Sequence, residues 1–256
     1  MNRRTVFIRP GLELGNLTDV GCHRADNEDY YCYAEPENDL DFQRKGRLAV
    51  VADGMGGHEG GKVASTLAVQ SVRDTYLNHP DNDPRVALRT AFQSAHAGIQ
   101  EYGRQHPGLA GMGTTCTAAI ILDGQLYYGH IGDSRLYLIR GYNISLLTQD
   151  HSQVARLVQD GLITPEEASV HPHRNVLTAA MGVEPSAGDF LETPMPLEAG
   201  DILLMCTDGL HGLVSDQEML ATAGTLDPAE ACKELVRMAK ERGGFDNITL
   251  QILKIV

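Results

Sequence analysis

The chain carries acidic residues at positions where the sequence predicts strands to begin or end. They are Glu28, Asp29, Asp53, Asp133, Asp208 and Asp246. Carboxylate oxygens are the ligands that hard divalent cations such as Mg²⁺ and Mn²⁺ prefer. So many clustered carboxylates need more than one cation to neutralise them, and two cations roughly 3.5 to 4 Å apart can share a hydroxide suited to attack phosphorus. The residue types therefore indicate metal-assisted hydrolysis.

Asp-Gly pairs occur at 53, 123, 160 and 208, and such a pair usually forms a turn. The pair at Asp123 fits a hairpin turn because strand-like runs flank it on both sides, and the pair at Asp160 fits a helix end. Asp53 and Asp208 each follow an apolar run and precede a loop or helix instead of a returning strand. Their side chains are therefore predicted to project from strand ends, where they are free to bind a ligand.

A competing interpretation concerns the glycine-rich stretch LAVVADGMGGHEGGK, from Leu48 to Lys62. Gly56 to Lys62 satisfies the GxxxxGK spacing of a phosphate-cradling loop, with a strand before it and a helix after it. However, Val63 stands where that loop needs a Ser or Thr hydroxyl for Mg²⁺, and Asp53 directly precedes the glycines. A metal-binding strand end is the better interpretation. Cysteine-based phosphatase chemistry is also disfavoured, because no Cys-x5-Arg sequence occurs.

Hydrophobic patterns predict the elements that must position these acids. The run at 48–52 predicts a buried strand, the charged segment 36–46 predicts a loop, and an amphipathic helix is predicted from 62 to about 78. A second helix starts at 83–84 and ends before 107. Short helices are predicted within 148–186, and longer helices after the capping residues Ser215 and Asp227. The other predicted strands are 30–33, 115–122, 125–131, 135–140, 144–147, 202–206 and 247–256.

Composition defines the broad class of protein. The chain has 256 residues, 42% of them hydrophobic, and a formal net charge of -13, which suits a single domain spanning 1–256. The charge argues against binding nucleic acid through phosphates, which needs clustered Lys and Arg. Five cysteines without a CxxC pair indicate neither a disulfide framework nor a zinc site. No run is long enough to span a membrane. We expect a monomeric protein of the reducing cytoplasm.

Taken together, these stretches resemble the PPM/PP2C family of metal-dependent protein serine/threonine phosphatases, in its short bacterial form. The matching segments follow the family's order: Arg24 with Asn27-Glu28-Asp29, VVADGMGGHEGG, GMGTT at 111–115, GDSRLY at 132–137, LTQDHS at 147–152, NVLTAAMG at 175–182, CTDGL at 206–210 and DNIT at 246–249. The resemblance implies an α+β fold, a four-layer α-β-β-α sandwich of two antiparallel sheets flanked by helical pairs. The helical insertion at about 148–186 would be a mobile flap beside the metal site.

The resemblance also implies a set of metal ligands centred on Asp53, which would bridge two cations, Mn²⁺ or Mg²⁺. Asp208 and Asp246 would complete the first metal position. Glu28 and the carbonyl oxygen of Gly54 would complete the second.

Three more residues receive roles from the same resemblance. Asp29 would lie close by and orient a metal-bound water, and Asp133 would hold a third metal together with Asp208. Arg24 would clamp the substrate phosphate, because its planar guanidinium suits two phosphate oxygens. Two structural alternatives stay open: Arg24 as a surface ion-pair partner, and Asp133 paired with Arg135 in a tight turn.

The mechanism implied is in-line attack by the metal-bridging hydroxide on phosphoserine or phosphothreonine, with no phosphoenzyme. The sequence departs here from eukaryotic members, which carry a histidine directly after the Asp-Gly pair, because this chain has Met55. The leaving alkoxide must then receive its proton from His58 or from a metal-bound water. We favour water and expect His58 to be a loop residue.

The predicted substrates are phosphorylated proteins, the targets of a serine/threonine kinase, with the kinase itself as one candidate. His171, His173 and Arg174 of the flap are candidates for reading the substrate. A second interpretation is a catalytically silent module of the same fold that binds phosphoproteins. Such a module would be marked by lost metal carboxylates, and none of the matched ones is missing, so catalysis is the better interpretation.

Overall fold

The computed structural model describes residues 8–56, 59–184 and 188–256. Its helices are Asp39–Lys45 (α1), Glu59–Asn78 (α2), Pro84–Gln105 (α3), Gln153–Gln159 (α4), Pro165–Ser169 (α5), Asp208–His211 (α6), Asp216–Thr225 (α7) and Pro228–Glu241 (α8). Its strands are Leu12–Asp19 (β1), Tyr30–Ala34 (β2), Arg47–Ala52 (β3), Gly54–Met55 (β4), Gly113–Thr114 (β5), Cys116–Leu122 (β6), Gln125–Ile131 (β7), Arg135–Arg140 (β8), Asn143–Leu146 (β9), Asp189–Phe190 (β10), Met195–Pro196 (β11), Ile202–Cys206 (β12) and Ile248–Ile255 (β13).

Two antiparallel sheets form the centre of the fold. One has the strand order β1-β13-β12-β8-β9, and the other has the order β10-β7-β6-β3-β2, with β11 also pairing with β7. The short strands β4 and β5 pair with each other just beyond the ends of β3 and β6. Antiparallel neighbours need only short connections, which is why hairpins such as β6-β7 and β8-β9 recur along the chain.

The central strands are buried on both faces, and β3 shows why. Leu48, Val50 and Ala52 pack into a core shared with α2 and α3. Ala49 and Val51 point the other way, into the core between the two sheets. Strand β12 divides its side chains similarly between the inter-sheet core and a third core shared with α7 and α8. The layers are therefore helices, sheet, sheet, helices, which confirms the predicted fold class.

Helix ends follow the predicted capping chemistry. Asp83 accepts a hydrogen bond from the backbone at the start of α3, and Ser215 with Glu218 forms a capping box on α7. Asp227 caps α8 by accepting from two backbone N–H groups. One prediction was wrong: the segment 36–46 contains α1, capped by Asn38, and is not all loop. Its charges do not oppose a helix because α1 lies on the surface.

The predicted flap begins as expected with helical structure, α4 and α5, and then returns toward the sheets. Isolated bridges join Ser152 to Leu177 and Thr114 to Met181, so the two sides of the flap base are joined to each other and its C-terminal side is joined to β5. Residues 185 and 186 of the predicted flap lie outside the described residues. Across the described segments, no helix has both the length and the apolar character needed to cross a bilayer.

Candidate active site

Asp53 leaves the buried strand β3 at the edge of the sheet, and its backbone is fixed by the strand pair β4-β5. Its N–H donates to Thr115 Oγ1 at 2.8 Å. Its carbonyl oxygen accepts from Thr115 N at 2.9 Å and from Thr114 Oγ1 at 2.8 Å. The threonines of the GMGTT segment therefore hold the position from which the Asp53 side chain projects.

Gly54 and Gly61 bring the start of α2 against the site. A Cβ atom on Gly54 would lie 2.1 Å from the carbonyl oxygen of Gly61 and 2.7 Å from that of Glu28. A Cβ atom on Gly61 would lie 2.9 Å from Cδ of Glu28. Only glycine permits this approach of backbone to backbone. Gly60 and Gly61 are part of α2, so the helix begins at Glu59 and not, as predicted, near 62.

Asn247 fixes the loop that carries Glu28. Its Oδ1 accepts from the Glu28 N–H at 2.8 Å, and its Nδ2 donates at 3.0 Å to the carbonyl oxygens of Val20 and Asp26. Asn247 precedes β13, so this amide joins the start of one central strand to the loop between β1 and β2. The side chain is thus occupied in positioning the loop.

Asp29 lies beside Asp208 at the floor of the site. Thr207 Oγ1 donates to Asp29 Oδ2 at 2.9 Å, and the same hydroxyl accepts from the Thr249 N–H at 3.0 Å. The other oxygen of Asp29 and Oδ1 of Asp208 are buried without a hydrogen-bond partner among the described residues. A buried carboxylate oxygen without a partner is costly, so these two atoms are the clearest sign that the site takes a ligand.

Arg24 and Asp246 form an ion pair across the mouth of the cluster, with Nη2 2.7 Å from Oδ2. Arg24 is 49% exposed. Burial acts to lower the pKa of Arg24, but the bond to Asp246 and the charges of Glu28 and Asp53 raise it above its ordinary value. Arg24 therefore forms an ion pair in this structure, which is the structural alternative left open above. Its partner, Asp246, is a predicted metal ligand.

The acids raise one another's pKa values because they are buried close together. Burial, followed by the charges of Asp29 and Asp208, raises the pKa of Asp53 well above its ordinary value. Burial is also the main cause of the raised pKa values of three other acids. These values are about 7 for Asp29, about 8 for Asp133 and about 6 for Asp208. Mutual repulsion adds to each shift. A cluster that resists ionisation in this way is suited to receive cations.

The arrangement is open. Within the described residues, no group of three or more histidine, cysteine, aspartate or glutamate side chains is arranged so that it could hold a metal ion as it stands. Asp246 bonds to Arg24, and Asp29 bonds to Thr207. The donor set nevertheless fits hard divalent cations, because it consists of carboxylate oxygens, two of them buried and unpartnered.

Asp133 does not form an ion pair with Arg135, the structural alternative to its predicted metal role. Arg135 instead forms a double contact with Asp150, with Nη2–Oδ2 at 2.7 Å and Nε–Oδ1 at 3.0 Å. The carbonyl oxygen of Asp133 accepts from His211 Nε2 at 2.9 Å. Burial and the charge of Arg135 lower the pKa of His211 to about 4, so His211 is a neutral donor. The Asp133 carboxylate is left facing the cluster.

The role of His151 was not predicted from the sequence. The backbone N–H of His151 donates to the carbonyl oxygen of Gly132 at 2.7 Å. In return, the backbone N–H of Gly132 donates to the ring atom Nδ1 of His151 at 3.1 Å. Since Nδ1 accepts, the proton lies on Nε2, which donates to Asp189 Oδ2 at 3.1 Å. Buried His130, 5.0 Å from the His151 ring, contacts the Gln149 carbonyl oxygen at 3.1 Å. The segment LTQDHS matches the family in sequence. The residues that His151 contacts, however, lie too far away along the chain to be identified from the sequence.

A cleft of about 670 Å³ opens between the flap and the acidic cluster. Asp133, Asp208 and Asp246 lie in its wall, together with Arg174 of the flap. His171 and His173 are not part of its described lining; their rings contact each other at 5.5 Å. Of the three flap candidates, Arg174 is therefore the one placed to meet a bound molecule.

Comparisons with known proteins decide the family. A protein-family model described as Protein phosphatase 2C matches residues 38–243. The chain belongs to the protein phosphatase 2C family. It is 37% identical to protein phosphatase PhpP of Streptococcus pneumoniae serotype 2 over 254 residues, which cover 95% of this chain and 98% of that protein.

Solved structures of other protein phosphatase 2C members agree. The Mycobacterium tuberculosis serine/threonine phosphatase PstP/Ppp superposes with a TM-score of 0.85 at 34% identity, covering 95% of this chain and 98% of that one. The catalytic domain of serine/threonine protein phosphatase PstP in complex with two manganese ions gives a TM-score of 0.83 at 33% identity, covering 96% and 98%. The predicted family, fold and enzyme class, a protein serine/threonine phosphatase, are thereby confirmed.

One prediction on this protein phosphatase 2C site cannot be compared with the structure. His58, the possible proton donor, lies outside the described residues. Met55, which stands where eukaryotic members carry histidine, lies in β4 opposite Gly113.

Proposed function

We propose that this protein phosphatase 2C member removes phosphate from phosphoserine and phosphothreonine in proteins, with the acidic cluster as its metal centre. Asp53, Asp208 and Asp246 would hold one divalent cation, and Asp53, Glu28 and the Gly54 carbonyl a second. The observation that carries this proposal is the pair of buried, unpartnered carboxylate oxygens on Asp29 and Asp208. Manganese is the first cation to test, since the PstP catalytic domain binds two manganese ions.

Asp133 and Asp208, which both line the cleft, would hold a third cation. Burial and the charge of Asp208 raise the pKa of Asp133, so a cation there would relieve repulsion between the two. When bound, such divalent cations supply Lewis acidity, polarising phosphoryl oxygens and acidifying water.

The chain's own residues then bind and orient the substrate. Arg24 is half exposed at the mouth of the cluster, and its guanidinium has more N–H donors than its bond to Asp246 uses. It would hold two oxygens of the incoming phosphate. Asp29, fixed by Thr207, would orient the attacking water by accepting a hydrogen bond from it. Solvent would supply the proton to the leaving serine or threonine oxygen, and His58 is the residue that a proton-donor search should test first.

The remaining parts of the proposal concern the protein as a whole. Residues 1–256 would form a single catalytic domain and a monomer, with 148–186 as the flap that meets the phosphoprotein. Its substrates would be proteins phosphorylated by a serine/threonine kinase, the kinase included. All five cysteines lie in described segments, and none forms a disulfide there, which supports a reducing compartment such as the cytoplasm.

Phosphate release from a phosphothreonine peptide tests the proposal. The protein is assayed with Mn²⁺, with Mg²⁺ and with chelator, alongside Asp53→Asn. Asp123→Asn is the matched control, because Asp123 lies in the β6-β7 hairpin turn at φ 50°, a conformation that asparagine also adopts. We expect release to require metal, to fall at least 100-fold in Asp53→Asn, and to persist in Asp123→Asn.

No release from folded protein under any metal would overturn catalysis and favour the silent phosphoprotein-binding module. Circular dichroism and thermal unfolding establish that each variant is folded.

A further inference from the structure

An exposed aromatic side chain lies directly beside the acidic cluster. Phe245 precedes the predicted ligand Asp246 in sequence, its side chain is 60% exposed, and it lines the same cleft as Asp133 and Asp208. A large apolar ring left in water next to a charged site gains nothing from the hydrophobic effect until something covers it.

The Phe245 ring is held in place from two sides. A Cβ atom on Gly243 would lie 2.4 to 2.9 Å from three ring atoms, so the ring folds closely over that glycine. Gly243 has φ 119°, a conformation in which a side chain would be strained in any case. On another side the His23 ring lies 5.1 Å away. A fixed aromatic surface costs little conformational entropy when a ligand binds to it.

Part of the remaining lining of the cleft is also apolar, beside polar residues such as Arg135, Gln149 and Asp150. The apolar side chains come from β9, from flap helix α4 and from the turn after α6, namely Leu146, Val154, Ala155, Val158 and Leu213. Leu146 is 41% exposed. The cleft therefore combines an acidic region that suits cations with apolar walls that suit a hydrocarbon side chain, which is the usual composition of a binding pocket.

We infer that Phe245 and these walls form an apolar subsite for the residue next to the phosphorylated serine or threonine, so that the enzyme prefers phosphoproteins with an apolar side chain there. The inference rests on the proposed phosphatase function. Its occupant follows from continuity: Phe245 adjoins Asp246, which Arg24 contacts, so a peptide whose phosphate meets Arg24 must run its flanking residues, about 3.3 Å apart along an extended chain, past this end of the cleft.

The test compares two phosphothreonine peptides that differ only in the residues flanking the phosphothreonine, leucine in one and serine in the other. Values of kcat/KM are measured with Mn²⁺ for the native chain, Phe245→Ser, Phe245→Leu and Tyr142→Ser. Tyr142 is the matched control because it is another exposed aromatic, 96% exposed, that does not belong to the described lining of the cleft.

We expect the native chain to prefer the leucine peptide about tenfold, the scale on which an apolar pocket discriminates. Phe245→Ser should bring the ratio close to one, Phe245→Leu should keep most of the preference, and Tyr142→Ser should keep all of it. Because the readout is a ratio within each variant, a general loss of activity from disturbing Asp246 does not affect it.

Two results overturn the inference alone: equal hydrolysis of the two peptides by the native chain, or an unchanged preference in Phe245→Ser. The proposed function is checked separately with p-nitrophenyl phosphate, which has no flanking residues. If the folded native chain with Mn²⁺ releases phosphate neither from that compound nor from either peptide, the function fails and the subsite fails with it.

Discussion

Arg135 holds Asp150 through both carboxylate oxygens, with Nε 3.0 Å from Oδ1 and Nη2 2.7 Å from Oδ2. Arg135 follows the loop that carries Asp133, and Asp150 begins the segment that leads into the flap. This ion pair, with the Gly132–His151 contacts beside it, joins the acidic cluster to the flap base. Burial acts to raise the pKa of Asp150, but Arg135 lowers it below its ordinary value, so the pair is ionised at neutral pH.

Asp150→Leu should destabilise the fold by about 3 kcal/mol, because it leaves the largely buried Arg135 without its counter-charge. The double variant Arg135→Met with Asp150→Leu should lose less than the single variants Arg135→Met and Asp150→Leu together, since it removes both charges. Urea unfolding of the four proteins gives the coupling free energy. Losses that simply add would mean that the pair does not act as a unit.

Raising the pH should destabilise the chelated protein. Asp29, Asp208 and Asp133 have native pKa values of about 7, about 6 and about 8, against about 4 in an unfolded chain. Between those limits these carboxyls bind more protons in the native state than in the unfolded state, so they make the free energy of unfolding fall as pH rises toward about 8. His130 and His211, with native pKa values of about 4, act in the opposite direction below about pH 6.5, so the fall is steepest above that pH. Urea unfolding in chelator from pH 5 to 8 measures the slope.

Asp53→Asn should make that slope shallower, because it removes a carboxyl whose own native pKa is raised well above its ordinary value. Saturating Mn²⁺ should likewise flatten it. A slope that is identical in the native chain and in Asp53→Asn would show that the cluster does not control the pH dependence.

Arg24→Ala should reduce kcat/KM for a phosphopeptide about 100-fold with little loss of stability. Exposed ion pairs contribute roughly 0 to 1 kcal/mol to folding, and Arg24 is 49% exposed, whereas a charge-assisted double contact to phosphate is strong. Arg24→Lys should recover only part of the loss, because an ammonium lacks the planar fork. Steady-state kinetics paired with urea unfolding separates the two effects; a large stability loss with normal kcat/KM would assign Arg24 to structure.

If Asp133 holds a third cation as proposed, His151→Ala should weaken the binding of Mn²⁺ there about tenfold, the usual cost of losing a residue that orients a metal ligand. The Gly132 N–H would lose its acceptor, and the loop its fixed position. Asp189→Ala is the control, since it removes only the exposed partner of His151 Nε2. Isothermal titration with Mn²⁺ measures each affinity directly. An unchanged isotherm in His151→Ala would limit His151 to a structural role.

The positions of the acids were predictable because each follows a signal within a few residues. Asp53 and Asp208 end apolar runs that are buried on both faces, and the helix caps at Asp83 and Ser215 are equally local. Grouping the acids into one site required the family resemblance, since nothing in the spacing from Glu28 to Asp246 shows that their strands end at the same edge.

Features that depend on distant partners could not be predicted in the same way. Strand β1 alternates polar and apolar residues only weakly, and it forms by pairing with β13 at the far end of the chain. Arg135 could be paired with Asp133 or with another acid, and only the tertiary structure selects Asp150. Phe245 was not identified from the sequence, because exposure inside a cleft is not visible there.

The bridges Ser152–Leu177 and Thr114–Met181 limit what the flap can do to the rest of the enzyme. The first bridge closes the base of the flap on itself and the second joins it to β5, so the outer turn around Leu162, which is 67% exposed, can change in length without displacing Asp53 or Asp133. A short affinity tag or fluorescent reporter inserted after Gly161 should therefore be tolerated without disturbing the acidic cluster.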